Sequence, residues 1–382
     1  GVTVTVSCPD GDYQIETDYL LACDGSRSPI RHMMGLDFEG RIFEDNFLIA
    51  DVRFKQQRPA ERWFRFDPPY PGDSSLIHKQ PDGIWRLDFQ LGWDIDKTEA
   101  VKIENVEPFV RGFLGPDVEY EYEWVSVYTF QCRRMERFVH NRVIFAGDSA
   151  HLVSPFGARG CNGGYADVDN LAWKLDLVLR GDANPDLLET YNHEALTTAE
   201  ENILNSSRST DFMTPKTQVS KVFRNAVLSL SRDHGFARPF VNSGRLSTPV
   251  HYPSSPLNGP DEGDYEFGPC PGSPCVDAPI KIDGEDAWLL SQLGNQFMLM
   301  CFTDDTECVH ELSDVLSGIK VIQIGELERA GMLSDHKGLC HQRYGIKQTG
   351  YYLVRPDQYV AARWANLDVD AIRSAHQRAQ AI

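Results

Sequence analysis

The sequence predicts an α/β (α+β) chain: a parallel-sheet domain, an antiparallel sheet set between its halves, and a smaller α/β domain at the C-terminal end. Three observations predict it. Two short apolar runs, residues 19–23 and 142–146, each end in an Asp beside a Gly, as strands buried on both faces do at the carboxyl edge of an α/β sheet. Between them, residues 41–130 change character and break into short strands at repeated turn signals, the pattern of an antiparallel sheet. After residue 281 the pattern runs strand, helix, strand, then hairpin and helix.

Taken in order, Val2, Val4 and Val6 alternate with polar residues, Pro9-Asp10-Gly11-Asp12 turns the chain, and Tyr13 and Ile15 alternate again. This is a β-hairpin, and it feeds the strand at 19–23. A hairpin at residue 2 with no βαβ unit ahead of it reads as an internal piece of a larger fold. The expectation is a fragment, or numbering that omits an N-terminal part, so targeting signals cannot be read. Strands are expected at 42–54, 61–66, 75–79, 84–91 and 119–130, with a short helix at 104–113. Pro68-Pro69, Pro71-Gly72-Asp73 and Pro81-Asp82-Gly83 supply the turns. The second buried strand, 142–146, precedes a glycine-rich loop and a helix. That helix keeps apolar residues at helical spacing from Tyr165 through Leu171 and Leu175 to Leu179. Asn184-Pro185 starts another helix, and helical segments continue to about residue 232. Residues 245–280, dense in Pro, Gly and Ser, read as a long linker or a loop laid across the surface. Beyond it a helix is expected at 287–293, a strand at 297–302, a helix at 307–316 and a strand at 319–324. A hairpin of 351–354 with 359–363 and a helix at 369–381 close the chain. The domain division is 1–40 with 131–244, then 41–130, a linker at 245–280, and 281–382.

The 382 residues are enough for two or three domains with a large core. A net charge of −19 argues against nucleic acid and anionic membrane as partners. Hydrophobic content of 41% and aromatic content of 11% argue against a disordered chain. The longest apolar run, near residues 297–302, falls far short of the roughly 20 residues of a membrane span. Nine cysteines, an odd number without zinc-type pairing, point to reduced thiols, no metal site and a cytoplasmic location.

The two strand ends carry the chemistry. Taken alone, Asp24-Gly25 and Gly147-Asp148 are ordinary turns after strands. The run from Gly147 through Pro155, Gly157, Gly160 and Asn162 to Gly164 leads straight into an amphipathic helix. Glycines let a backbone approach a ligand closely, and a helix N-terminus attracts anionic groups. A diphosphate or an anionic ring suits such a place.

Cys23-Asp24-Gly25-Ser26-Arg27-Ser28-Pro29-Ile30-Arg31 resembles the DG motif of the class A flavoprotein monooxygenases, the aromatic hydroxylases. Gly147-Asp148-Ser149-Ala150-His151, with Pro155, Gly157, Gly160 and Asn162, resembles their GD motif about 120 residues later. Asn170-Leu171-Ala172-Trp173-Lys174-Leu175 is also similar, and Gly350-Tyr351-Tyr352-Leu353-Val354-Arg355-Pro356-Asp357 resembles the thioredoxin-like tail of phenol and 3-(3-hydroxyphenyl)propionate hydroxylases. The resemblance implies an FAD/NAD(P)-binding Rossmann-like domain, an antiparallel-sheet substrate domain and a thioredoxin-like C-terminal domain. One departure stands out: the family's Gly-x-Gly-x-x-Gly fingerprint for the FAD pyrophosphate is absent, which matches the mid-domain start.

By this resemblance, Asp148 hydrogen-bonds the ribityl region of FAD, and Asp24, Arg27 and Arg31 bridge flavin and nicotinamide contacts. Gly25, Gly147, Gly157, Gly160, Cys161 and Asn162 complete the cofactor-binding set, with the helix that starts near Cys161 aimed at the flavin pyrimidine edge. Pro155 matches the proline beside the reacting ring, and His151 is expected to pack and hydrogen-bond rather than catalyse. The implied reaction is hydroxylation of a phenolic or other small aromatic substrate with NADH or NADPH and O2, through a flavin C4a-hydroperoxide in a dry site. Trp63, Phe64, Trp85, Phe89, Trp124, Tyr128 and Phe130 are candidates to line the pocket, half of any alternating set facing away. Tyr128, or the Arg133-Arg134 pair, is a candidate to orient the phenol. The C-terminal domain, without a Cys-x-x-Cys motif, is expected to be structural, for dimerisation or for covering the FAD domain. A homodimer and a separate N-terminal fragment carrying the fingerprint are the partners left open. The alternatives are a flavin-fold fragment without activity and a flavin oxidoreductase that does not hydroxylate.

Overall fold

The computed structural model describes residues 1–381 except 72, 73, 243–246, 264, 328 and 330. The turn expected at Pro71-Gly72-Asp73 and the start of the 245–280 stretch therefore lie partly outside the described residues, as does the boundary at 244.

Strands β1 (Val2–Cys8) and β2 (Gly11–Thr17) form the expected hairpin, in register from Val2 opposite Thr17 to Cys8 opposite Gly11. The short strand β3 (Leu20–Ala22) and the helix α1 (Pro29–Met33) follow. Ser28 caps α1, its hydroxyl accepting from the Arg31 N–H, with Pro29 at the first helical position. Four strands come next: β4 (Glu39–Phe54), β5 (Trp63–Phe66), β6 (Ser74–Lys79) and β7 (Ile84–Gly92). Helices α2 (Lys97–Ala100) and α3 (Ile103–Leu114) lead to the long β8 (Tyr120–Arg134). The chain then returns through β9 (Val139–His140), β10 (Val143–Phe145) and β11 (His151–Leu152) to helices α4 (Arg159–Arg180), α5 (Leu187–Met213), α6 (Gln218–Asp233) and α7 (Arg238–Asn242). None of the described helices is long and apolar enough to cross a membrane.

Two sheets position the site. In the first, β10 pairs in parallel with β3 and antiparallel with β9. Ala22, Ile144 and Phe145 pack there against Leu171 of α4 and Leu188 and Tyr191 of α5. Here one expectation fails. Residues 19–23 read as a strand buried on both faces, yet Leu21 is 43% exposed and Cys23 is exposed. The sheet has three strands among the described residues and β3 is its edge, so Leu21 has no second layer over it.

The second sheet has the order β11-β8-β4-β7-β6-β5 and is antiparallel throughout. Its two faces differ. Leu48, Ala50, Leu87 and Phe89 point to one side and bury against Val106, Val110 and Phe113 of α3. Their neighbours on the strands, one residue away, point to the other side and form the cavity described below.

The remaining elements are β12 (Asp261–Glu262), β13 (Pro279–Ile282), β14 (Glu285–Trp288), β15 (Phe297–Phe302), α8 (Thr306–Val315), β16 (Ile319–Gly325), β17 (Leu333–Ser334), α9 (Leu339–Tyr344), β18 (Gly350–Val354), β19 (Val360–Trp364) and α10 (Val369–Ala379). They build a sheet of order β12-β19-β18-β15-β16-β17-β13-β14, with β15 fully buried between two apolar layers. The helix expected at 287–293 is instead β14 and a short 3-10 turn. Asp283 and Gly284 both adopt positive φ and close a two-residue hairpin from β13 into β14, so the Asp-Gly pair outranks the local helical spacing. The described residues from 247 to 280 run as a loop pinned along this sheet: Gly259 N–H donates to Ala361, Gly272 N–H to Val360 and Cys275 N–H to Gln358. All nine cysteines are free thiols.

Candidate active site

The parallel pairing of β3 and β10 sets Val143 beside Leu20 and Phe145 beside Ala22, so the Asp24-Gly25 and Gly147-Asp148 loops leave the same sheet edge side by side. Three contacts lock them. The Ser149 hydroxyl donates to the Ala22 carbonyl at 2.5 Å, and Arg31 donates to the Ser149 carbonyl at 2.9 Å and to the Ser26 carbonyl at 2.8 Å. Arg31 is buried and lies over the Phe38 ring, 3.8 Å from its centroid. Its guanidinium is thus turned inward between the loops. Arg27 stays exposed.

Asp148 is exposed at the end of β10, and its carboxylate has no hydrogen-bond partner among the described residues. Asp24 accepts one bond, from the Ile30 N–H at 3.1 Å. Behind them Asp167, buried on α4, accepts from the Gly147 N–H at 2.8 Å and from His151 at 2.7 Å. Burial pulls the His151 pKa down, and the Asp167 charge more than offsets it, so the net direction is up. His151 also stacks on Phe138, in the packing role expected of it.

The glycine-rich loop turns into α4 through Gly157 at φ +101° and Ala158 in the left-handed region. Ala158 at the N-cap position makes no side-chain cap bond, which leaves the first turn, at Gly160, Cys161 and Asn162, as the positive end of the helix dipole. Asn162 is tied back to the Ala158 carbonyl at 2.6 Å. An exposed carboxylate, an exposed arginine and an uncapped helix start, on neighbouring loops, form a donor and acceptor set that suits the polyhydroxyl chain and electron-rich ring of a flavin.

The same loop carries Pro155 and Phe156 into a cavity on the open face of the antiparallel sheet. Its empty volume is about 580 Å³, part of it open to solvent. Phe47 and Phe130 stack at 4.3 Å between ring centroids, and Phe156 meets both edge-on. Phe64, Ile49 and Leu76 add apolar wall, while Arg62, His78, Arg86 and Asp88 add the charge. Arg86 holds Asp51 with two bonds of 2.8 Å. His78 lies 3.0 Å from Gln80, and its pKa is lowered by burial, then by Arg62 and Arg86. Asp88 is half-buried, and burial pushes its pKa up to about 7, against the pull of Arg86 and Arg62.

Of the aromatic residues expected to line a pocket, Phe64 and Phe130 do. Trp85 and Phe89 belong to the α3 face, and Trp63, Trp124 and Tyr128 are about half exposed outside the lining. Arg133 donates to the Phe38 carbonyl and Arg134 pairs with Glu200, so both act as staples away from the cavity. The charged lining residues were missed from sequence, although β7 carries a signal: Arg86, Asp88 and Gln90 alternate with Trp85, Leu87 and Phe89.

Residues 1–206 match a family described as FAD binding domain. A 12-dehydrotetracycline 5-monooxygenase/anhydrotetracycline 6-monooxygenase of Streptomyces rimosus is 33% identical over 208 residues, 51% of this chain and 40% of that protein. The chain therefore spans well under two thirds of that relative's length. A 3-(3-hydroxy-phenyl)propionate/3-hydroxycinnamic acid hydroxylase of Burkholderia vietnamiensis is 26% identical over 395 residues, 98% of this chain and 71% of that one. In structure, aklavinone-11 hydroxylase, solved as a ternary complex with FAD and aklavinone, superposes with a TM-score of 0.77 at 22% identity, over 99% of this chain and 70% of that one. With more than half of its length matched, the chain belongs to the FAD binding domain family.

Proposed function

We propose that the protein works as an FAD-dependent monooxygenase that hydroxylates a phenolic or other aromatic substrate with NADH or NADPH and O2. One observation carries this reading. The loop that runs from Asp148 to the start of α4 also delivers Pro155 and Phe156 to the aromatic cavity, so the cofactor-type edge and the apolar pocket share a wall. The hydroxylase and monooxygenase names of the relatives support it.

Bound flavin supplies electron transfer from the nicotinamide and activation of O2. The protein supplies the rest. Asp148 and Asp24 accept hydrogen bonds from hydroxyl donors, Arg27 pairs with phosphate oxygens, and the first turn of α4, with Cys161 and Asn162, favours negative charge on the ring. Gly25, Gly147, Gly157 and Gly160 keep side chains out of the backbone's approach to the cofactor. Arg31 positions both loops through its carbonyl contacts. Pro155 and the phenylalanine wall hold the substrate ring and exclude water. The C-terminal sheet buttresses α4 through a shared core that includes Trp173.

The test is turnover under isotopically labelled O2. Phenols that stimulate NAD(P)H oxidation should yield a hydroxylated product carrying one labelled oxygen atom. NAD(P)H oxidation with no label in any organic product would favour the non-hydroxylating oxidoreductase instead.

A further inference from the structure

The cavity holds four charged or titratable side chains, and two of them are engaged. Arg86 is committed to Asp51, and His78 to Gln80. Arg62 sits exposed at the rim. Asp88 differs. Its carboxylate faces the cavity in the row Leu76–Asp88–Ile49, and it makes no hydrogen bond or ion pair among the described residues. A half-buried carboxylate with spare acceptor capacity, among phenylalanine rings, is an incomplete hydrogen-bonding group.

We propose that Asp88 accepts the hydroxyl proton of a phenolic substrate held in this cavity, an assignment that rests on the hydroxylase reading above. The step is a proton transfer. The phenol O–H bond breaks, an O–H bond forms on the Asp88 carboxylate, and the electron pair stays on the phenolate oxygen, which enriches the ring for attack on activated oxygen. The proton then passes to solvent through the open side of the cavity, and no further oxidant or reductant is required. The residues considered from sequence to orient the phenol do not reach it: Tyr128 lies outside the lining, and Arg133 and Arg134 donate their hydrogen bonds elsewhere. The groups that face Asp88 are Arg86 on its own strand, Asp51 on β4, His78 on β6 and Arg62 ahead of β5, while Pro155 and Phe156 bring no charge. Burial dominates this set, so Asp88 exchanges its proton near neutral pH, where a general base is most effective.

Binding without turnover tests it. The full chain is given FAD but no nicotinamide, and p-cresol and toluene are titrated by calorimetry against the native protein and Asp88→Asn. Native affinity for p-cresol should rise from about pH 5 to about pH 8, as Asp88 ionises and becomes a charged acceptor. In Asp88→Asn that rise should vanish, and p-cresol should bind about tenfold more weakly at the upper pH. Toluene, with no hydroxyl, should bind the variant at least as well as the native protein. Equal weakening of both ligands, or a p-cresol profile unchanged by the substitution, overturns the assignment. So does a native protein that binds p-cresol no better at the upper pH. Failure of the hydroxylase reading is seen separately, as absence of labelled oxygen in the product of a protein that still gives the p-cresol signature.

Discussion

Asp51 and Asp88 stand on adjacent strands of one sheet face and fare differently. Asp51 has a two-point partner in Arg86, whereas Asp88 faces a cavity of phenylalanine rings. Burial raises the Asp88 pKa from 3.8 to about 7. The linkage follows directly. In the unfolded chain Asp88 ionises near pH 3.8, while in the folded protein it keeps its proton until about pH 7, so its contribution to stability falls as pH rises between the two. Asp88→Asn should therefore raise the melting temperature at about pH 8 and leave it unchanged near pH 4, with a gain on the order of 1–4 kcal/mol at the upper pH. Thermal denaturation of both proteins across that range checks the sign. On the cofactor side, Asp148 has no hydrogen-bond partner among the described residues to lose. Asp148→Ala should leave the fold intact and weaken FAD binding about 10- to 100-fold, as measured by quenching of flavin fluorescence.

At the scale of elements, α4 is held from both ends. Asp167 anchors its first half to the Gly147 loop. Its second half enters a buried ionic cluster centred on Glu194 of α5. Glu194 receives Arg355 at 2.6 and 2.9 Å, Lys174 at 2.7 Å, Asn170 at 2.6 Å and Ser255 at 2.6 Å, and Arg355 also pairs with Asp357. Burial alone would push the Glu194 pKa up, but Arg355 and Lys174 hold it below the usual carboxylate range. Lys174 is drawn down to about 8 by burial and remains protonated at neutral pH. Glu194→Gln would leave Arg355 and Lys174 buried without a full counter-charge, at a cost of about 3–5 kcal/mol. Because the Glu194 pKa is depressed, this stabilisation is present above the ordinary carboxylate pKa and fades as pH falls through that range. Urea denaturation should give a large gap between native and variant protein at neutral pH, narrowing as the solution is acidified below about pH 4.5.

For the whole molecule, the cluster and the 247–280 loop tie the C-terminal sheet to the helices behind the cofactor-type loops. Trp173 and Leu187 share a core with Leu299, Leu353 and Trp364. The loop itself is pinned at Gly272, which has φ +82°, and where a Cβ would lie 2.3 Å from the Tyr252 carbonyl oxygen. Gly272→Ala should therefore displace the loop, cost about 1–3 kcal/mol and open this segment to protease. Limited proteolysis with mapping of the cut sites would read it. Cleavage no faster than in the native protein would mean that the loop tolerates the side chain and is less rigid than its contacts imply.

The sequence by itself determined the local elements: the opening hairpin, β15, the helices over 159–180 and 187–213, and the two acidic strand ends. Each rests on side-chain period, turn residues or caps, which act within a few positions of the chain. The glycine-rich run was legible for the same reason, since its motif is contiguous. Tertiary structure decided which faces those elements present. Alternation on β7 placed Arg86 and Asp88 opposite Trp85 and Phe89, but only the packing of α3 against one face made the other a cavity. Nothing local distinguishes Arg31 from Arg27, four residues apart, yet one is buried between two loops and the other is exposed. Glu194 reads as one acid on a polar helix until Lys174 and Arg355 arrive from 20 and 161 residues away. Burial and charge pairing are set by partners distant along the chain, and these interactions formed the candidate site.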